Sequence, residues 1–477
     1  MDITLLLPEL ILATFASLVI VVDLFLRPTA KDVNLFISLA GIVAAAGAAV
    51  GLVGRNTTSF FGMLVVDDYA IFFKLAFLLA AALVALSAVA FLKRHPGAEG
   101  EFYGLLLFST TGMMLMAGTR ELISIYVALE LTSISLYLLA GIARRDLKSS
   151  EASLKYLLLG AMSSAILLYG MALLYGLSGT TDLAGIAKAI GTTSSPALLL
   201  GMSLVAAGFG FKIAAVPFQM WAPDVYEGAP TPVTAFLSVA SKAAGFSVIV
   251  RVFVTALPAI QPEWVNIFSV LSALTMVLGN VVALSQKNIK RMLAYSSIGH
   301  AGYILMGVAA AGPFNPTAGI PSVMFYLVGY TVTNLVAFGV VVLASRAVPD
   351  DTIEGYSGLH RRSPVLALAM AISLLSLAGL PPMVGFFAKF YLFAAAFQAG
   401  MIWLVVLGLL MSAVSLFYYT WVIRQMYLVA PASEEPISFP TASFVSVAAA
   451  LVGVFALGIY SDPFLAFARV AVQTMVK

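Results

Sequence analysis

Apolar residues run along this chain in blocks of roughly twenty, the length an α-helix needs to cross a hydrocarbon core, and short polar connections separate them. Fourteen such blocks stand near 3–26, 33–54, 69–92, 102–119, 121–142, 153–178, 196–218, 232–257, 264–286, 290–311, 320–345, 364–394, 400–429 and 441–460. Within them Gly and Ala are scattered without the strict two-residue alternation of a membrane β-barrel. The pattern predicts an all-α integral membrane protein of about fourteen transmembrane helices, numbered here 1 to 14 in that order. Residues after 461 read as a short amphipathic surface helix, and little chain remains for a soluble domain.

Two blocks are interrupted. In helix 7 the stretch AVPFQMWAPDVYEGAPTPV carries Pro217, Pro223, Pro230 and Pro232, and in helix 12 SLAGLPPMVGFFAK carries Gly379, Pro381 and Pro382. Proline removes a backbone donor and clashes with the preceding turn, so both helices must break. The breaks lie five helices apart, each in the fourth member of a five-helix block, 4–8 and 9–13. Tandem repeats of odd helix number sit inverted relative to one another in a bilayer. The chain therefore divides into residues 1–101 (helices 1–3), 102–257 (first repeat), 258–429 (second, inverted repeat) and 430–477 (helix 14 and tail). In helix 2, Gly47 and Gly51 have the four-residue spacing of a close helix contact.

Composition agrees with this reading and narrows it. Hydrophobic residues make up 61% and charged residues 10% of the 477, and the mean hydropathy is +1.04, outside the soluble range. Arg27, Lys31, Lys93, Arg94, Arg144, Arg145, Lys148, Lys287, Lys290, Arg291, Arg346, Arg361, Arg362 and Arg424 fall on one side of the membrane, fourteen against six on the other. The positive-inside rule makes that side cytoplasmic and places both termini outside. The first block opens with Asp2 and Glu9 and has no basic leader, so it reads as a retained helix. Cationic residues are dispersed over loops, which speaks against nucleic acid. With no cysteine, thiolate-bound clusters and disulfides are excluded. Two of the three histidines, His95 and His360, lie in loops, which leaves no paired haem ligands. No nucleotide-binding glycine fingerprint is present.

The remaining chemistry lies in ionisable residues inside apolar runs, where each costs at least a few kcal/mol. They are Glu130, Lys155, Lys212, Lys242 and Lys389. Glu130 lies nine residues after Glu121, about 13 Å into helix 5. If it comes within about 4 Å of Lys212, the attraction is about 4 kcal/mol at an effective dielectric near 20, and a change in spacing would switch proton occupancy. A static ion pair fixing helix register is the alternative. Lys389 follows the second break and suits the end of a proton path. His300, with an imidazole that titrates near neutrality, suits a relay between Lys242 and Lys389, or a packing role. Lys155 lies close to a basic loop where it can snorkel, and Lys74 and Asp23 sit near helix ends where solvation suffices.

At these residues the chain resembles a known family. The runs FGFKIAAVPF (209–218), WAPDVYEGAPTPVTAFLSVASKAAGF (221–246) and KNIKRMLAYSSIGHAGY (287–303), with LLPELIL and LAGLPPMVGFFAKFYLF, are similar to the antiporter-like subunit N of bacterial NADH:quinone oxidoreductase, respiratory complex I. The resemblance implies a proton-translocating membrane subunit in which Glu130, Lys212, Lys242 and Lys389 form the main path and His300 and Lys290 are secondary. It implies no cofactor in this chain, with NAD, FMN, iron–sulfur clusters and quinone in partner subunits. Neighbours of the M, K and J types and the peripheral arm would be the partners, in the bacterial inner membrane. An Mrp-type cation/proton antiporter subunit and a structural membrane scaffold are the rival readings.

Overall fold

A computed structural model describes residues 2–191, 195–311, 316–348, 350–431 and 433–476. Each of the fourteen apolar blocks contains a helix: helix 1 (Leu7–Asp23), 2 (Val33–Val50), 3 (Asp68–Leu92), 4 (Glu99–Ala117), 5 (Leu122–Ala140), 6 (Leu147–Ser178), 7 (Pro196–Lys212 and Trp221–Gly228), 8 (Thr231–Ala256), 9 (Gln261–Ala283), 10 (Ile289–Ala309), 11 (Pro316–Ala344), 12 (Pro364–Ala378 and Val384–Gln398), 13 (Ile402–Leu428) and 14 (Thr441–Ile459). Ten helices among the described residues are long and apolar enough to cross a membrane. The expected tail helix is Ser461–Val476. One element lies outside the helical expectation, a small antiparallel hairpin pairing Thr57–Ser59 with Leu64–Val66 before helix 3.

Helices 8 and 11 are buried along nearly their whole length, whereas helices 1, 6 and 13 expose most of theirs. Sequence hydrophobicity cannot separate these classes, because lipid and protein interior are equally apolar. Helix 8 also changes pitch, passing through a π-turn at Leu237–Ser241 immediately before Lys242. Such turns leave carbonyls unpaired along the helix and recur at functional positions.

Both predicted breaks are present, and each accounts for its freed backbone groups. After Lys212 the chain turns through Ala214 at φ 58°, a left-handed conformation that costs a non-glycine residue about 1–2 kcal/mol. The Val216 amide donates to Thr275 Oγ1 of helix 9 at 2.9 Å, and the Trp221 indole donates to the Phe211 carbonyl at 2.9 Å. In helix 12 the first half ends on Gly379 at φ 95°. Gly385 brings the second half so close that a Cβ there would overlap the Ser376 carbonyl oxygen.

Two expectations from sequence are corrected. Lys74 is not solvated: its side chain is fully buried and its ammonium lies 2.7 Å from Glu9 Oε1 of helix 1. Rise along helix 3 carries it about 9 Å inside Asp68, too far to snorkel. Gly47 does not mark a close helix contact, since nothing lies within 4 Å of where its Cβ would be, and near Gly51 only its own helix does. Close approach occurs instead at Gly41 against Phe15 and at Gly104 against Ile20.

A second buried ion pair ties helix 3 to helix 8. The Arg251 guanidinium donates to both Asp67 oxygens at 2.8 and 2.9 Å and lies 4.9 Å over the Tyr69 ring. The Tyr69 hydroxyl in turn donates to the Ser247 carbonyl. Asp67 also caps helix 3 through the Ala70 amide. Removing only the guanidinium strands a buried carboxylate, so Arg251→Met should destabilise the protein by about 3–5 kcal/mol, while Asp67→Leu combined with Arg251→Met should recover most of it. Thermal unfolding of the detergent-extracted protein measures both.

Candidate functional site

Glu130 lies half-buried on helix 5, and the Ser164 hydroxyl of helix 6 donates to its Oε1. One turn along helix 5, Ser133 Oγ accepts from Lys212 Nζ at 3.0 Å. Glu130 and Lys212 are not within ion-pair distance of each other, so the close approach considered from sequence is not made here. Lys212 stands at the end of the first half of helix 7, and helix 5 separates the charges with a serine. Ser133, Ser164, Tyr156 and Lys212 line a cavity of about 20 Å³, enough for one water molecule.

Lys242 is met by helix 10. Its ammonium donates to both the carbonyl and the hydroxyl of Ser297, at 2.5 Å each. The π-turn before it is pinned by Asn334 of helix 11, which donates to Ser238 Oγ at 2.7 Å. Between Lys212 and Lys242 stand two buried hydroxyls, Tyr156 and Ser241, without a hydrogen-bond partner. They face one another, and Tyr156 also lines the cavity beside Lys212.

From Lys242 the polar groups continue along one face of helix 10. Ser296, His300 and Tyr303 have the i, i+4, i+7 spacing of a single helix face. The Tyr419 hydroxyl of helix 13 lies 2.5 Å from Ser296 Oγ and 3.3 Å from His300 Nε2, while the Tyr326 hydroxyl of helix 11 lies 2.6 Å from His300 Nδ1. The Tyr303 ring then faces Lys389, whose ammonium stands 5.1 Å from the ring centre. Lys389 donates to the Ala378 carbonyl at the end of the first half of helix 12 and to Ser412 Oγ, at 2.9 and 2.8 Å. His300 lies within electrostatic reach of both Lys389 and Lys242.

Lys290 and Lys155 lie elsewhere. Lys290, ten residues before His300 on helix 10, is about 15 Å away along the axis and donates to the Ala229 carbonyl at 3.1 Å. Lys155 is partly exposed and pairs with Glu151 and Asp224, each within 2.8 Å. With Arg291, which binds Asp224 and Glu227 at 2.8 and 2.9 Å, it lines a polar depression of about 150 Å³ at the helix 7–8 connection. Burial would raise the carboxyls of Asp224 and Glu227, but hydrogen bonds from Lys155, Arg291 and Lys148 outweigh it and hold both below the usual carboxylate range. Both are ionised at neutral pH.

Sequence reading found the lysines and missed their partners. Ser133, Ser297, Ser412, Tyr303, Tyr326 and Tyr419 are individually ordinary residues in apolar runs. Only the spacing of Ser296 and Tyr303 from His300 on helix 10 carried a readable signal. Among the described residues no group of three or more His, Asp or Glu could hold a metal ion.

Residues 119–415 match the family described as NADH:quinone oxidoreductase/Mrp antiporter, transmembrane. The chain is 47% identical to NADH-quinone oxidoreductase subunit N of Trichlorobacter lovleyi, covering 99% of this chain and 97% of that protein. A chain of respiratory complex I from Thermus thermophilus superposes with a TM-score of 0.81 at 34% identity, over 96% of this chain and 98% of that one. A chain of the Mrp complex from Dietzia sp. shares the fold, with a TM-score of 0.85 at 23% identity over 100% and 97%.

Among the described residues, Ser133 is the hydrogen-bond partner of the Lys212 ammonium. Ser133→Ala should leave a buried donor unsatisfied and lower stability by about 1–3 kcal/mol, whereas Ser133→Thr should keep the contact and most of the stability. Thermal unfolding of the two variants checks this.

Proposed function

The chain belongs to the NADH-quinone oxidoreductase subunit N family, and from that premise we propose that Glu130, Lys212, Lys242, His300 and Lys389 carry protons through the membrane arm of a redox-driven complex. The observation that carries this reading is a set of buried polar contacts along helix 10, where Ser297 holds Lys242, His300 meets Tyr326 and Tyr419, and the Tyr303 ring faces Lys389, inside an otherwise apolar bundle.

Protons are taken up at the cytoplasmic depression around Asp224 and Glu227 and reach Lys212 through the small cavity it shares with Ser133 and Ser164. The Tyr156 and Ser241 hydroxyls, which face one another, pass protons on to Lys242. Ser297, His300 and Tyr419 lead to Lys389, from which protons leave outward. Glu130 biases Lys212 electrostatically through Ser133 instead of by direct contact. Lys290 lies off the lateral row, and its part belongs to the cytoplasmic side. In this reading residues 102–257 and 258–429 are the inverted repeats, with broken helices 7 and 12 in equivalent positions, and both termini lie outside the inner membrane.

No redox step is assigned to this chain: NAD, FMN, iron–sulfur clusters and quinone belong to partner subunits, and reduction there supplies the energy. Neighbouring membrane subunits of the M, K and J types complete the arm. Helix 5 supports such coverage, since the half-buried Glu130 sits in a row with the exposed Ile123, Val127, Ile134 and Leu138. A carboxylate on a lipid face is costly, and a protein neighbour relieves it. The antiporter reading shares the fold, but the high identity over the full chain is to subunit N.

The test uses membrane vesicles carrying the whole complex with Lys212→Met, measuring NADH:quinone reductase activity and proton uptake together and assembly by native gel. An assembled variant whose pumping falls about tenfold or more, as for a lost proton-transfer group, supports the path. Normal pumping and turnover in assembled Lys212→Met would sink the assignment and favour the scaffold reading. Sodium-dependent transport without NADH would favour the antiporter.

A further inference from the structure

The connection between helices 11 and 12 reaches across the cytoplasmic side to the start of helix 10. The Ile289 amide donates to the Asp351 carbonyl at 2.8 Å, and the Ile353 amide donates to the Lys287 carbonyl at 2.8 Å. Asn288 and Thr352 form an isolated antiparallel bridge. Two backbone segments from different helices are thereby stitched together. At the seam Asp351 adopts φ 52°, a left-handed conformation that Asp and Asn tolerate better than other non-glycine residues, and its side chain points inward. Asp351 Oδ2 lies 3.5 Å from the Lys290 ammonium, with only 17% and 6% of the two side chains exposed.

Lys290 does not end at this pair. Its ammonium also donates to the Ala229 carbonyl, the C-cap of the second half of helix 7. A cation belongs there, because the unpaired carbonyls of a helix C-terminus carry partial negative charge. Two residues further on, Thr231 begins helix 8, the helix that carries Lys242. Asp351, Lys290 and Ala229 thus form one clasp across three elements: the 11–12 connection, helix 10 and the 7–8 junction.

We propose that Asp351 is a positioning residue that holds Lys290 against the end of broken helix 7 and so makes a cytoplasmic gate of the 7–8 junction. This rests on the proton path argued above. The gate closes while the clasp is made and admits protons toward Lys242 when the 7–8 junction moves away from Lys290.

The groups facing Asp351 are Lys290 of helix 10, Lys148 of helix 6, Arg94 at the end of helix 3 and Tyr356 of its own connection. Burial raises the Asp351 carboxyl above its ordinary value, and Lys290 and Lys148 oppose that without cancelling it. Asp351 therefore takes up its proton at a higher pH than an ordinary aspartate, and with that proton its charge-assisted hold on Lys290 is lost as pH falls.

Asp351→Asn and Asp351→Gly both accept the left-handed backbone and remove only the carboxylate. In vesicles carrying the whole complex, both should pump about fivefold more slowly than the parent at neutral pH, as for one lost charge-assisted contact. The parent should converge on them as pH falls, because its own carboxyl becomes neutral. Lys242→Met is measured alongside. Normal pumping by Asp351→Asn with a defective Lys242→Met overturns the gate and leaves the path standing. Normal pumping by both overturns the path itself. A deficit that stays constant with pH, or failure of both Asp351 variants to assemble, makes the residue structural and also overturns the gate.

Discussion

Inside hydrocarbon no water takes up a stray backbone group, so a broken membrane helix survives only where protein supplies the missing partners. In this chain that constraint organises the interior. The break in helix 7 exists because Thr275 of helix 9 accepts the Val216 amide and because Trp221 reaches back to the Phe211 carbonyl. In helix 12 the freed carbonyl of Ala378 is taken by Lys389 itself. Lys389 is thus part of the repair of its own break, and in the path proposed above the same ammonium also carries a proton.

The cations of the lateral row share a further property: their hydrogen-bond partners are neutral. Lys212, Lys242 and Lys389 are met by serine hydroxyls and carbonyls, whereas Lys74 and Arg251, away from the row, are met by carboxylates. A buried cation locked to a carboxylate is difficult to neutralise, because loss of its proton would strand the opposite charge. One held by hydroxyls, which serve as donor or acceptor by rotation, keeps a partner in either protonation state. In the proposed path the two kinds of site divide labour between transfer and anchoring.

How far this was legible from sequence depends on what each residue has to do. The all-α membrane plan, the breaks and the presence of buried charges were legible because charge and proline inside an apolar run contradict their surroundings. The row on helix 10 was legible only in part: His300 stands out, but Tyr419 and Ser297 do not, since hydroxyl residues in membrane helices usually bond back to their own turn, as Thr111 and Ser135 do here. Lys74 was misread because distance from a helix end says nothing about what covers that end, and helix 1 covers it. Helices 8 and 11 as central pillars were hidden because lipid-facing and buried surfaces share one composition. Asp351 lies in a connection whose meaning comes entirely from the strand-like pairing it makes 62 residues away from its partner in sequence.

The Tyr303 ring under Lys389 has a consequence of another kind. An aromatic face attracts a cation through its quadrupole and has little hold on an amine. Among the described residues no carboxylate pairs with Lys389, so this part of the grip on its side chain depends on the charge it carries. A neutral Lys389 would lose this ring contact while keeping the Ala378 carbonyl and the Ser412 hydroxyl, beside a helix already interrupted by Gly379 and two prolines. In the proposed path, the strength of the ring contact at this last station thus follows the proton that Lys389 holds.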